Sequence, residues 1–379
     1  MINLMHVNDY IIDTSNFRPM LHDKIVDEFE QSIADFVGAK YACSFHSATM
    51  AIFLTLVEKQ RETIAIPSII PPVVANAILC AQHGISYRDD VNWVGNSYVL
   101  HQFEDYKIID SAQQLTENQF KEQANDEDLM IFSFYPTKPV GSSDGGLIVS
   151  NDKDKIDRLR VLSRNGMSLE NNSWERNILL PGWKMYMNSI QAHIANENFK
   201  KLESKTKRYD EIRKIYNESF NKNNTSLHLY RLNVEDNDVF VSTMKEKGIQ
   251  CGIHYKAIHM MSTYSRPALD LPLSEHESRT TVSIPYHEML TDEQVRGNHA
   301  HREDQQYMFC VRGRVKVTLT SATGSLEQIL EPGDVAYMDR NIWGQQEYMT
   351  GDDILLVFCS TKHDPEDYIT DINDVLGGK

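Results

Sequence analysis

An aspartate, a serine and a lysine stand in order at the ends of short apolar runs: Asp110, Ser133 and Lys138. Residues 107–110 (Lys-Ile-Ile-Asp) read as a buried strand ending on a carboxylate. Residues 130–134 (Met-Ile-Phe-Ser-Phe) read as a second strand, four residues before Lys138. A glycine-rich turn then leads into a third strand at 146–150. An acid at one strand end and a lysine just past another can hold pyridoxal phosphate. The lysine forms a Schiff base, and the acid keeps the pyridine nitrogen protonated so that the ring draws electrons. Taken singly, Asp110 is equally an N-cap, Ser133 a turn serine and Lys138 a solvated lysine. Their order together favours the cofactor.

The elements that must position these groups follow from periodicity. Residues 22–37 carry Ile25, Val26, Phe29, Ile33 and Phe36 at helical spacing, with Gly38 as C-cap. A strand over 41–45 precedes Ser47, Ala48 and Thr49, which open a helix to about Val57. Such a turn can seat a phosphate, because free N–H groups and the helix dipole face the anion. On its own it is better explained as a plain N-cap. Residues 63–82 are uncharged and about as long as a bilayer span. Pro67, Pro71 and Pro72 would break a single helix there, so strand, turn and short helix are predicted instead of a membrane crossing. Further strands are expected at 64–66, 85–87 and 98–100. Strands alternating with helices imply an α/β fold with a parallel, doubly wound sheet and ligands at the strand C-terminal ends.

Beyond the sheet, a helix is expected from Asp154 to about Leu162. A long helix over 188–222 should break in its charged middle. A small α+β unit follows: a strand over 227–234, a helix to Lys247 and a strand over 249–255. After residues 292–295 the pattern becomes short strands between glycine turns, at 307–311, 315–319, 328–330, 335–338 and 354–359. That is an all-β sandwich or barrel. The expected domains are 1–222, 223–293 and 294–379.

Composition narrows the function. A chain of 379 residues allows two or three domains. The net charge of −16, with no basic run, argues against nucleic-acid binding, although a local basic pocket can still take an anionic substrate. The five cysteines are scattered and lack metal-ligand spacing, which reads as reduced thiols in the cytoplasm. No basic and apolar leader opens the chain.

Several motifs then fall in order: Ser47-Ala-Thr49, IPS with ANAI at 66–78, Asp110-Ser-Ala-Gln113, FSFYPTK at 132–138 and SDGG at 143–146. They continue with PGWKMYMNSIQAHIA at 181–195, GIQCGIHYKAIH at 248–259 and SIPYHEMLTDEQV at 283–295. Residues 20–293 resemble the DegT-type nucleotide-sugar aminotransferases, pyridoxal-phosphate enzymes of fold type I. The resemblance implies Lys138 as Schiff-base lysine and proton shuttle, Asp110 on the pyridine nitrogen and Gln113 beside the ring. It implies Ala48, Thr49 and Ser133 on the phosphate, and Lys184 reaching it from the neighbouring subunit of a homodimer. Ping-pong transfer from an amino-acid donor, glutamate in the family, to a keto group on a nucleotide-linked hexose would follow. The stretch from Tyr87 to Asp110 is shorter than the family pattern by two crossover helices, which should bare one sheet face or leave it to a partner. Pro71 stands where an aromatic usually stacks on the cofactor, and Tyr186 where asparagine or arginine is usual.

The C-terminal piece resembles the cupin-fold dTDP-sugar 3,4-ketoisomerases through RGNHAH at 296–301, Gln305 and Gln306, Gly313, RNIW at 340–343 and HDPEDYITD at 363–371. Metal-binding cupins add a glutamate and a later histidine. Here Gln305 and Gln306 stand at the first position, and Trp343 or Gly344 at the second. No metal is expected, since two imidazoles make a poor site. The resemblance implies His299 and His301 as an acid/base pair that moves a carbonyl between neighbouring carbons. The strands that usually precede this motif are absent, so the cupin is partial. The resulting expectation is a sugar aminotransferase fused to a ketoisomerase-like cupin, in amino-sugar and surface-polysaccharide synthesis. Two alternatives stand beside it: only the isomerase step survives, or the chain is a non-catalytic sugar-nucleotide binder.

Overall fold

Helix α1 (Lys24–Val37) buries Val26, Phe29, Ile33 and Val37 on one face, and Gly38 ends it at φ +79°. The computed structural model describes residues 2–7, 24–168, 177–265, 269–290, 294–350, 353–362 and 364–377. It divides into two units, Met1–Leu290 and Thr291–Lys379.

The first unit continues with β1 (Tyr41–Phe45), α2 (Ala48–Leu56), β2 (Thr63–Pro67), α3 (Pro72–Cys80) and β3 (Gly84–Arg88). Next come β4 (Tyr98–Gln102), β5 (Lys107–Asp110), α4 (Gln119–Gln123), β6 (Leu129–Ser133), β7 (Gly146–Ser150) and α5 (Lys153–Ser163). The uncharged stretch is thus strand, proline turn and helix, as read. Among the described residues no helix is long and apolar enough to cross a membrane.

The main sheet runs β1-β7-β6-β5-β4, and β2 and β3 form a separate parallel pair. The sheet is mixed, which corrects the expectation of a parallel sheet. Only β5 and β6 run parallel in it; β1–β7, β6–β7 and β4–β5 are antiparallel. For β4 and β5 the reason is connection length, because a parallel neighbour needs a crossover of about a dozen residues or more. Residues 103–106 alone join β4 to β5, so the shortened segment closes as a hairpin. No helix lies between β3 and β5.

The shortening does not strip the sheet. Ile108, Ile131 and Ile148 pack into one cluster with Ile52 and Leu54 of α2, Ile78 of α3 and Ile66 of β2. Ile109, Met130, Phe132 and Leu147 point the other way, into a cluster with Phe29 and Ile33 of α1. Burial on both faces explains the unbroken apolar runs in these strands.

The long helix breaks as its charged middle predicts, into α6 (Ser189–Phe199) and α7 (Leu202–Phe220). Then follow β8 (Tyr230–Asn233), α8 (Asn237–Glu246), α9 (Pro272–Thr280) and β9 (Thr281–Ile284), with β8 and β9 antiparallel. Residues 249–255 form no strand; they contribute single bridges, Ile249 to Ile2 and Gly252 to Ser283.

The second unit contains β10 (Gln294–His301), β11 (Gln306–Arg312), β12 (Val315–Ser321), β13 (Gly324–Leu330), β14 (Val335–Met338), β15 (Trp343–Tyr348), β16 (Ile354–Cys359), β17 (Tyr368–Ile369) and α10 (Ile372–Leu376). Sheets β13-β12-β15-β10-β17 and β14-β11-β16 share a core of Met308, Cys310, Val315, Val317, Leu330 and Met338. Every ladder is antiparallel. The five predicted strands are all present. The sequence reading missed the two-residue β17 and also β10 and β15, whose inward positions include polar side chains such as His301 and Gln346.

Candidate active site

The loop between β6 and β7 carries Lys138, and it is pinned at several points. The Lys138 N–H closes a turn on the Tyr135 carbonyl at 2.9 Å. Ser142 donates from its N–H to the Phe134 carbonyl at 2.8 Å and from its hydroxyl to the Gln191 carbonyl at 2.7 Å. Asn198 of α6 donates to the Gly141 carbonyl at 2.6 Å. A Cβ on Gly141 would sit 2.5 Å from the Pro136 carbonyl oxygen, so only glycine fits this fold-back.

The turn after β1 is held by the GWKMYMNSIQ stretch. The His46 N–H donates to the Met185 carbonyl at 2.9 Å, and the Gln191 side chain donates to the His46 carbonyl at 3.1 Å. Ser47 caps α2 by accepting from the Met50 N–H at 3.4 Å. A Cβ on Gly146 would lie 2.4 Å from the Ala48 nitrogen, so this glycine lets β7 pass directly beneath the helix start.

These elements open on one cavity of about 580 Å³, a size that suits a cofactor with a small substrate. Ala48, Thr49, Asp110, Gln113, Ser133 and Lys138 all line it. The structure therefore brings together every predicted cofactor residue except Lys184. That side chain is exposed and does not line this cavity. Pro71 lines it too, at the N-terminal end of α3.

Asp110 is buried. Its Oδ2 accepts from the Tyr98 hydroxyl at 2.8 Å, and its Oδ1 accepts from the Ala112 N–H at 3.0 Å. Burial raises its carboxyl above the usual range, and the Ala112 N–H, Tyr98 and Lys138 only partly offset this. Lys138 is pushed down to about 8 by burial, against the pull of Asp110. Gln113 accepts from the Gly95 N–H at 2.7 Å and donates to the Tyr255 hydroxyl at 3.0 Å.

Sequence reasoning missed four further residues of the cavity lining: Trp93, His228, His254 and Tyr255. Lys138 Nζ lies 3.1 Å from His228 Nε2. His254 Nδ1 lies 2.9 Å from the Ser283 hydroxyl, and burial holds its imidazole down to about 4. Trp93 packs on Tyr98, with ring centroids 4.5 Å apart, and anchors its indole N–H on the Ile69 carbonyl at 3.0 Å. The His-Tyr of the GIHYK stretch was the available signal for two of these four. Trp93 and His228 lie in segments with no such mark.

The residues suit pyridoxal phosphate. A buried carboxylate held only by neutral donors fits a protonated ring nitrogen, the desolvated amine fits an aldehyde, and the open helix start fits a phosphate.

In the second unit, His299 and His301 alternate along β10 on the same face, with ring centroids 4.8 Å apart. They differ in their hydrogen bonds. His301 Nδ1 lies 2.9 Å from Asp367 Oδ2, and its Nε2 lies 2.9 Å from Gln306 Nε2. His299 Nδ1 reaches the Gly297 carbonyl at 2.8 Å. Tyr368 packs on both rings. Gln305 turns away to Tyr337 and Asp339. His363, in the closing motif, lies outside the described residues.

This sheet, with an acid at one strand end and a lysine beyond the next, belongs to the fold-type I pyridoxal-phosphate enzymes. Residues 106–297 match the DegT/DnrJ/EryC1/StrS aminotransferase family, and the chain belongs to that family, whose members depend on pyridoxal phosphate. Residues 284–377 match a second family, FdtA, described as WxcM-like, C-terminal. Among curated proteins, the chain is 24% identical to the UDP-4-amino-4,6-dideoxy-N-acetyl-beta-L-altrosamine transaminase of Campylobacter jejuni, over 76% of this chain and 93% of that protein. It is 25% identical to the spore coat polysaccharide biosynthesis protein SpsC of Bacillus subtilis, over 71% and 86%. Among solved structures, PseC of Helicobacter pylori, an aminotransferase of pseudoaminic acid biosynthesis, aligns with TM-score 0.62 at 17% identity, over 76% of this chain and 95% of that one. The sugar aminotransferase CalS13 of Micromonospora echinospora aligns with TM-score 0.63 at 15% identity, over 77% and 96%. At these identities the solved structures establish the fold.

Proposed function

We propose that this chain transfers an amino group from an amino acid, glutamate by family habit, to the keto carbon of a nucleotide-linked deoxyhexose used in surface polysaccharide synthesis. The observation that carries the reading is a single cavity shared by a buried acid, Asp110, and a desolvated amine, Lys138. The cofactor, when bound, supplies the electron sink for moving an amine between two carbon skeletons. Asp110 keeps the proton on the ring nitrogen. Gln113, locked between Gly95 and Tyr255, flanks the ring. Ala48, Thr49 and Ser133 take the phosphate through hydroxyls and helix N–H groups. Lys138, half-neutral near pH 8, takes and returns one proton per half-reaction. Exposed Lys184 is read as reaching a second copy's phosphate, which makes the enzyme a homodimer. All five cysteines are free thiols, which suits the cytoplasm.

For the second unit the reading is a companion carbonyl shift between neighbouring carbons, with His299 and His301 as the proton-handling pair. One observation favours a second reading of this unit, a non-catalytic binding module: the cavity against His301 holds only about 60 Å³. Product analysis with a dTDP-4-keto-6-deoxy sugar, comparing the chain with His299→Asn, separates the two. For the transaminase, the test is the visible spectrum of the protein with pyridoxal phosphate before and after borohydride. A new absorbance that borohydride fixes onto residue 138 supports the reading, and an unchanged spectrum sinks it.

A further inference from the structure

His228 enters the cavity just ahead of β8, from a part of the chain 90 residues away from the lysine it faces. The ring is buried, and its Nε2 lies 3.1 Å from Lys138 Nζ. Its backbone is fixed. The Ser226 hydroxyl accepts from the N–H groups of both His228 and Leu229, at 3.0 and 3.1 Å. The Ser226 carbonyl in turn accepts from the Tyr286 hydroxyl at 3.2 Å. These bonds fix where the side chain starts, and burial limits how far the ring can swing.

We infer that His228 is a positioning residue for Lys138, a neutral imidazole whose Nε2 accepts one ε-amine N–H whenever that amine is not covalently engaged. The inference rests on the transaminase reading above. The charged or titratable groups that act on the amine or on His228 are Asp110 from β5 and His254 from the segment ahead of Tyr255, and Tyr135, Asp144 and Tyr255 line the same cavity. Burial and the neighbouring lysine hold His228 well below the usual imidazole range, so it is uncharged at working pH. With Nε2 as acceptor, the ring proton sits on Nδ1. The role is orientation. One N–H goes to His228, which leaves the lone pair and the other N–H of the neutral amine for the cavity. A transaminase frees this amine in the first half-reaction and takes it up again at the end of the second, so the amine must be found in the same place. A long lysine side chain without an anchor would sample several rotamers at that moment.

The test needs no substrate. Cofactor-free protein is mixed with pyridoxal phosphate across pH 6–10, trapped with borohydride at intervals, and residue 138 is scored by peptide mass. His228→Gln keeps an acceptor, and His228→Leu keeps bulk without one. Above the midpoint of the pH profile, His228→Leu should trap about tenfold more slowly than wild type, while His228→Gln stays within about threefold. The His228→Leu midpoint should also move to lower pH, because its ammonium form loses an acceptor while remaining buried. A merely structural role would not move that midpoint. If His228→Leu folds poorly, His228→Asn, polar but too short to reach, carries the same expectation. Unchanged rate and midpoint in the variants would overturn the role of His228 alone. Wild-type protein that never traps at residue 138 would overturn it together with the transaminase reading.

Discussion

Tyr98 donates its phenolic hydrogen to Oδ2 of Asp110 across 2.8 Å, and both side chains are buried. This link between neighbouring strands exists because the shortened chain closes β4 and β5 as a hairpin, which sets Tyr98 opposite Asp110 in register. The carboxylate thus gains a neutral donor but remains short of positive charge.

That shortage gives a stability prediction. Burial raises the Asp110 carboxyl, so the folded chain holds a proton at pH values where the unfolded chain has already lost it. Stability therefore falls as pH rises through that window, and the deficit persists above it. Cofactor-free Asp110→Asn should melt about 2–4 °C above wild type at pH 7.5. The gain should vanish below the ordinary carboxylate range. Added pyridoxal phosphate should raise the wild-type Tm more than the variant's. A variant that melts lower than wild type without cofactor at pH 7.5 would count against the argument.

Lys138 sets a second expectation. Since burial brings its amine down to about 8, attachment of pyridoxal phosphate should speed up with pH and level off just above that value. Lys138→Ala should lose the borohydride-fixed product and about 10³-fold of turnover. Stopped-flow absorbance measures the first and a coupled glutamate assay the second. A profile still climbing at pH 10 would contradict the buried-amine account.

The start of α2 separates a cap from a phosphate seat. Ser47 accepts the Met50 N–H, so Ser47→Ala should cost about 1 kcal/mol of stability. Thr49→Val, lining the cavity without capping, should leave Tm unchanged and weaken pyridoxal phosphate binding several-fold. Paired melts and fluorescence titrations decide it. Equal effects of the two substitutions on both measurements would reject the distinction.

The second unit should have its own acid response. Burial would raise Asp304, but the Thr361 N–H and the side chains of Cys359, Ser360 and Gln306 outweigh it and hold the carboxyl down to about 2. A depressed carboxyl contributes stability above the unfolded value, and that stability is lost as pH falls through the folded one. Hydrogen exchange of peptides from residues 294–377, followed from pH 4 to 2, should show this unit loosening. Asp304→Asn should be less stable at neutral pH and flatter across that range. A variant with the same acid midpoint and slope as wild type would refute it.

The local pattern of the chain determined a good deal by itself. Apolar runs at 107–110, 130–134 and 146–150 had to be buried strands, because exposing them would cost more than any turn could recover. The carboxylate, serine and lysine stand at or just past those strand ends, and they meet at one edge because β5 and β6 run parallel. The helix break near residue 200 and the strands of the C-terminal unit were equally legible, since period and turn residues are local properties. Strand direction was not. It depends on connection length and on which neighbour each strand meets, so β4 became a hairpin partner of β5, and β7 lies antiparallel to both β1 and β6. Part of the cavity lining was hidden for a related reason. His228 and Trp93 gain their roles only from contacts such as the one His228 makes with Lys138 across 90 residues, and no periodicity within either segment records such a partner. What those two side chains touch was settled by tertiary packing, because a hydrogen bond between distant segments is specified by the folded geometry of the whole unit.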